Sequence, residues 1–277
     1  MKLKFVLNSK QQWELKQQTR NWLELPYDVM ANILYRVGVC DILLNAQKVC
    51  TTWRNICKDT AMWRVINMYN VFYHKNGRPL MQKMCKHAVN RSQGQLVDIT
   101  IEDFANPQLL RYISDRASQL RRLEFVYCYG ETYESWAGSL RKFPLLEELS
   151  IYLTDISTGV IVAAGRFCPM LTTLKINDEM VAPCGNVIAV AIGKNLPKLK
   201  HLELIGSFMT NTGLQAILDG CCHLELLDLR QCVYIDPKDD LVKKCLEKIK
   251  CVKLPYDSLE GCRYVFLDEP IAGPAIV

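Results

Sequence analysis

The chain has 277 residues, 49 % apolar and 23 % charged, with a mean hydropathy of zero to two decimals, which excludes a disordered, collagen-like or low-complexity protein and suits one or two folded domains. Lys and Arg number 34 against 29 for Asp and Glu, a formal net charge of +5, too small an excess to argue for a nucleic-acid or membrane partner. The charge is unevenly spread: residues 1–95 hold 15 basic and 5 acidic side chains, so this third carries +10 and the rest −5.

No stretch approaches the ~18–20 continuous apolar residues of a membrane helix, and Met1–Leu7 is too short for a signal-peptide core, so the expected location is intracellular, nucleus or cytoplasm. Thirteen cysteines with no Cys-x-x-Cys pair offer neither a secreted disulfide framework nor paired zinc-ligand spacing, and they read as reduced thiols with no metal and no cofactor. There is no Gly-x-Ser-x-Gly elbow, His-Glu-x-x-His, Walker loop or glycine-rich dinucleotide turn, and no spacing brings His74, His87, His201 or His223 to a nucleophile. The reading is a binding protein and not an enzyme.

Residues 1–20, rich in Lys and Gln, are expected to be a flexible lead. Residues 21–70 carry helical spacing. After Leu25-Pro26, Val29, Ile33 and Val37 fall at i, i+4 and i+8, with Gly38 as the stop. Asp41 then caps a second helix whose apolar stripe is Ile42, Ala46, Val49, Cys50 and Trp53, and a third short element ends at Met62-Trp63. Residues 71–95 contain Lys75, Arg78, Lys83, Lys86 and Arg91 with no acid. With Leu80, Met84, Ala88 and Val89 as its apolar stripe, this is a basic linking helix packed on the region that begins at residue 96.

From residue 96 to 254 the pattern Leu-x-x-Leu-x-Leu recurs. Its copies begin at Leu96, Leu120, Leu146, Leu171, Leu199 and Leu224, with a weaker seventh at Ile249, and the steps are 24, 26, 25, 28, 25 and 25. The physical reading is α/β: a short right-handed leucine-rich-repeat solenoid of strand–loop–helix units in which neighbouring copies bury a shared core. Pro144, Pro169 and Pro197, each two residues before a leading leucine, stop the preceding helices. The places between the inward leucines point to the concave face. They include Glu124, Glu148, Tyr152, Lys175, His201, Glu203, Asp228 and Arg230, and these are the candidate protein-binding residues of that face. Across all six clear copies the face offers six acids and three fixed cations, which suits a Lys- or Arg-rich partner surface. Residues 255–277, with Pro255, Pro270 and Pro274, are expected to form a short cap and a loose tail.

Two further sets of residues carry a family resemblance. Cys128 and Cys232 lie eight residues after their leading leucines, and Cys168 and Cys221 lie three before theirs, which resembles the cysteine-containing repeat subtype of F-box proteins; a packing role suffices for them. Leu25-Pro26, Ile33-Leu34, Val49-Cys50-x-x-Trp53-Arg54 and Trp63 after Cys57-Lys58-Asp59 look like an F-box, and their order before the repeats resembles plant F-box/leucine-rich-repeat proteins of the Skp-interacting kind. The resemblance implies a three-helix F-box at 21–70 that binds a Skp-family adaptor, and through it a cullin, while the repeats hold an unknown target for ubiquitination. Other subunits perform the transfer chemistry. Leu25, Pro26, Leu34, Val49, Cys50 and Trp53 are the candidate adaptor-binding or adaptor-supporting set. The alternative from the same residues is an interaction scaffold with no link to ubiquitination.

Overall fold

The computed structural model describes residues 24–70, 77–127, 133–154, 156–177 and 185–264. The expected lead, Lys75, His74, Cys128 and residues 265–277 lie outside these. The chain forms two compact units, one ending at Met62 and the other beginning at Trp63.

The first unit is helical: α1 (Tyr27–Val37), α2 (Val39–Leu44), a 3-10 turn (Ala46–Lys48) and α3 (Thr51–Ile56). Gly38 ends α1 with φ 93°, a conformation that favours glycine. Two expectations are corrected here. The face of α1 in the core is Met30 and Leu34, while Val29 and Val37 stay exposed; all four lie on one wide apolar arc, and a unit this small covers only part of it. The second stripe is also not one helix. The backbone leaves helical geometry at Asn45 (φ −128°, ψ −66°) and is extended at Cys50 (φ −155°, ψ 172°). Local side chains accompany both breaks: the Asn45 amide donates to Asp41 Oδ1 (3.0 Å), and Cys50 Sγ accepts from the Trp53 backbone N–H (3.5 Å) as the N-cap of α3. Asp41 sits inside the first turn of α2, and the cap position belongs to Gly38.

The second unit is a parallel sheet of eight strands in consecutive order. These are β1 (Val65–Tyr69), β2 (Asp98–Glu102), β3 (Arg122–Val126), β4 (Glu148–Tyr152), β5 (Thr173–Asn177), β6 (His201–Ile205), β7 (Leu226–Asp228) and β8 (Cys251–Lys253). One helix lies in each of the seven crossovers: α4 (Arg78–Arg91), α5 (Pro107–Ser114), α6 (Tyr133–Leu140), α7 (Thr158–Phe167), α8 (Gly185–Asn195), α9 (Asn211–Gly220) and α10 (Asp240–Lys248). Consecutive parallel strands joined by crossovers of one hand put all seven helices on one side. The leucine rows point there: Leu96, Leu120, Leu123, Leu149, Leu174, Leu199, Leu202 and Leu227 are fully buried. No single helix among the described residues is long and apolar enough to cross a membrane.

The repeats begin one unit earlier than their leucine pattern. Trp63, Ile66 and Met68 are buried, and β1 pairs in register so that Ile66 meets Ile99 and Met68 meets Ile101. Trp63 thus stands where Leu96 stands in the next copy. Residues 65–69, expected in the helical module, are strand. The linking helix α4 buries Met81, Met84, Cys85, Ala88 and Val89 and leaves Leu80 exposed. Part of its positive charge is held within the fold: Arg78 pairs with Asp103, Lys86 lies 5.2 Å from the centre of the Tyr112 ring and Arg91 lies 5.1 Å from that of Trp63.

Four of the strand exits share a geometry. Asp103, Tyr127, Leu153 and Gly206 follow β2, β3, β4 and β6 with φ of 67°, 51°, 50° and 74°. Their N–H groups donate to Val126 O (2.9 Å), Tyr152 O (3.1 Å), Asn177 O (3.0 Å) and Arg230 O (3.0 Å), extending the ladder one residue beyond each strand. Three of these four are not glycine, so the left-handed turn is held by its neighbours against an intrinsic cost of about 1–2 kcal/mol per residue.

Glycine does matter between the helices. A Cβ on Gly193 would sit 2.1 Å from Ala216 O, and one on Gly220 would sit 2.0 Å from Gly193 O, so α8 and α9 pack backbone to backbone. The buried thiols of Cys168, Cys221 and Cys232 donate to Leu140 O (3.8 Å), Leu196 O (3.4 Å) and Leu204 O (2.8 Å). Burial pushes them up to about 12, 11 and 12, which keeps them as protonated, weakly donating hydrophobes.

Candidate functional site

Each unit presents one distinctive surface. On the helical unit it is apolar: Leu25, Tyr27, Val29, Tyr35, Val37 and Val49 are exposed, Val49 by 63 %. A unit of about forty residues encloses too little core to cover all of them. The Tyr27 hydroxyl donates to Asp59 Oδ2 at 2.7 Å, and Asp59 Oδ1 accepts from the Ala61 N–H at 2.9 Å, tying the start of α1 to the turn after α3. That hydrogen bond raises the Tyr27 hydroxyl above its ordinary value and holds Asp59 below its own.

The six adaptor candidates divide by position. Leu25, Pro26 and Val49 are exposed, Cys50 and Trp53 are half-buried, and Leu34 is wholly inside the core. Leu34 therefore supports the surface and does not form it. Tyr27, Val29, Tyr35 and Val37 belong to the exposed set as well, and residue spacing offered no sign of Tyr27 and Tyr35.

On the repeat unit the distinctive surface is the helix-free face of the sheet, and it is charged. The register aligns Asp98, Arg122, Glu148, Thr173, His201 and Leu226 in one row, and Thr100, Glu124, Ser150, Lys175, Glu203 and Asp228 in the next. Arg122 is the hub. Its guanidinium donates to Asp98 Oδ1 (2.8 Å) and Thr100 Oγ1 (3.2 Å), pairs with Glu124 Oε2 and lies 3.4 Å from Glu148 Oε1. Lys175 Nζ stands 3.0 Å from Glu148 Oε1 and 3.9 Å from Glu203 Oε1. Burial alone would raise Glu148, but Lys175 and Arg122 outweigh it and hold this carboxyl below its ordinary value. Glu124 goes the other way: burial raises it despite Arg122.

Residues 255–264, the described part of the stretch expected to form a short cap and a loose tail, lie against the helix-free face. The Arg230 Nη1 group donates to Ser258 O (2.8 Å) and Glu260 O (3.1 Å). Tyr264 packs against Tyr152 with the rings tilted by 41° and their centres 5.3 Å apart, donates its hydroxyl to Glu102 Oε2 (3.3 Å), and accepts from the Asn177 amide at its carbonyl. This segment crosses the sheet from beyond β8 back to β2. Asp228 and Arg230, two of the target-binding candidates, are buried as a pair, Arg230 Nη2 at 2.6 Å from Asp228 Oδ2. Tyr152 is buried beside Tyr264. Glu148, Lys175 and Glu203 are half-buried and His201 is exposed. Around Arg122 the face retains a cavity of about 630 Å³, lined by Asp98, Glu102, Glu124, Glu148, Lys175 and Arg263 among others.

Comparison with known proteins covers both units. The F-box domain model matches residues 22–65. Putative F-box/LRR-repeat protein 23 of Arabidopsis thaliana is 44 % identical over 247 residues, 86 % of this chain and 54 % of that protein; this chain thus spans about half the length of that relative. F-box protein SKIP19 of the same plant is 42 % identical over 242 residues, covering 87 % of this chain and 80 % of the relative. Putative F-box/LRR-repeat protein 9 is 40 % identical over 234 residues, covering 81 % and 93 %.

Proposed function

Because the chain belongs to the F-box/leucine-rich-repeat proteins, we propose that it is the target-recognition subunit of an SCF-type ubiquitin ligase. Its F-box binds a Skp-family adaptor, which connects it to a cullin, and its repeat face holds the protein to be ubiquitinated. The observation that carries this reading is the coincidence of the matched F-box, residues 22–65, with the unit that exposes Leu25, Tyr27, Val29, Tyr35, Val37 and Val49. A stable interface buries roughly 1,200–2,000 Å² in total and draws its strength from a few apolar anchors at its centre. Leu25, Pro26 and Val49 are the assigned anchors. Leu34, Cys50 and Trp53 fix their positions from beneath or beside them.

The test is co-purification with a Skp-family adaptor. Replacing Leu25 and Pro26 together with Ala removes exposed side chains, so the fold survives while adaptor capture is lost. Unchanged capture by a folded double variant overturns the interface. No capture by the unmodified chain favours the scaffold reading.

A further inference from the structure

The reading that the helix-free face holds the target leaves open what that target presents. The cavity near Arg122 has four carboxylates in its lining, Asp98, Glu102, Glu124 and Glu148, against the cations Arg122, Lys175 and Arg263. Arg122 and Lys175 are engaged, each with more than one carboxylate. Two acceptors remain. Glu124 is 1 % exposed, and its Oε1 atom has no hydrogen-bond partner, a costly condition for a buried carboxylate. Glu102, one strand over, receives the Tyr264 hydroxyl, and no ion pair with it is found among the described residues.

Besides Arg122 on the other oxygen, Arg263 Nη1 approaches Glu124 Oε1 at 3.7 Å, beyond hydrogen-bond reach, and the Arg263 side chain is 67 % exposed. Arg263 is thus a loosely held positive group above a buried acceptor that lacks a donor. A space of about 630 Å³ falls in the range that takes a small ligand or a few side chains.

We propose that this cavity binds the guanidinium or ammonium group of a basic residue in an extended segment of the target. Glu124 Oε1 is the principal acceptor, Glu102 the second, and Arg263 the in-chain stand-in that the target's cation displaces. Tyr264, packed against Tyr152, stays as the wall beside it. This inference rests on the receptor role proposed above for the same face. The whole chain carries +5 and repels a basic peptide at long range, so a preference for one must come from the local site.

The experiment measures fluorescence anisotropy of labelled peptides of about twelve residues, long enough to cross several strands, in which Ser alternates with Arg or with Glu. The full chain is used at about 0.15 M salt, where distant charges are screened. The Arg peptide binds at least about tenfold more tightly than the Glu peptide. Glu124→Gln removes most of that preference, Glu102→Gln reduces it by a smaller factor, and Arg263→Ala strengthens Arg-peptide binding. Equal binding of the two peptides, or full affinity in both glutamine variants, overturns the proposal. If Glu124→Gln fails to fold, the Glu102 and Arg263 variants decide it, and unchanged affinity in both overturns it. Adaptor capture is scored on the same preparations. Loss of the peptide preference with adaptor capture intact removes only this inference; loss of adaptor capture with the preference intact removes only the ligase reading.

Discussion

The two units differ in what their size lets them enclose. The F-box unit has too little interior for its apolar residues and leaves Leu25, Tyr27, Val29, Tyr35, Val37 and Val49 outside. The repeat unit has interior to spare and draws even ionised groups into it: Asp228 is 0 % and Arg230 4 % exposed at the side chain, and Glu124 is nearly as enclosed. An exposed apolar group in a small unit has little to contribute to that unit's stability, whereas a buried charge in a large one is held by partners the fold must keep. The first kind of residue is free to serve a partner, and the second answers to the fold first.

The largest expected effect that tests this difference is at Asp228. Replacing it with Asn leaves Arg230 buried without its counter-charge, which destabilises the repeat unit by about 3–5 kcal/mol in chemical denaturation. Burial pushes the Asp228 carboxyl up, but the Arg230 hydrogen bonds and charge, with Lys253, hold it below its ordinary value overall. A carboxylate held low contributes stability above its unfolded value and loses it as pH falls through the folded one. The gap between wild type and the Asn variant therefore narrows on acidification below the usual carboxylate range, and a gap that widens there contradicts the pairing. Next in size is Gly193→Ala. Its Cβ meets Ala216 O, and overpacking of this kind costs about 1–3 kcal/mol, read as a lowered melting temperature; a neutral result means that α8 and α9 separate freely. Smallest in stability is Val49→Ser, expected within about 0.5 kcal/mol because the side chain touches mostly solvent. The same change weakens adaptor capture, and a Val49 variant that unfolds the F-box unit while binding normally would reverse the comparison.

Legibility in sequence followed the same division. The leucine rows of β2 to β7 were plain because alternate residues in each strand pack against the helices and admit few types. The first strand escaped because Trp63 and Met68 replace leucine, and because it adjoins a helical stretch that absorbed it. Strand exits at Asp103, Tyr127 and Leu153 carry no glycine signal, since neighbouring ladders and not local preference hold the turn. In the F-box the helical period was readable, but the period alone did not say which part of a wide arc the core takes, Met30 and Leu34 or Val29 and Val37. At the charged face, spacing placed the residues on one surface of the sheet. Their pairing around Arg122 depends on strands about 25 positions apart coming into register, and their covering depends on residues 255–264.

That covering segment changes what kind of object the repeat array is. A stack of repeats joined only to nearest neighbours behaves like a one-dimensional chain, able to melt inward from either end one unit at a time. Here Tyr264 meets Glu102 across 162 positions and Asn177 across 87, so the segment after β8 is fastened to the ends of β2 and β5. The stack gains a strap across its middle. Release of the segment after β8 frees contacts at β2, β4 and β5 together, which opposes melting one unit at a time.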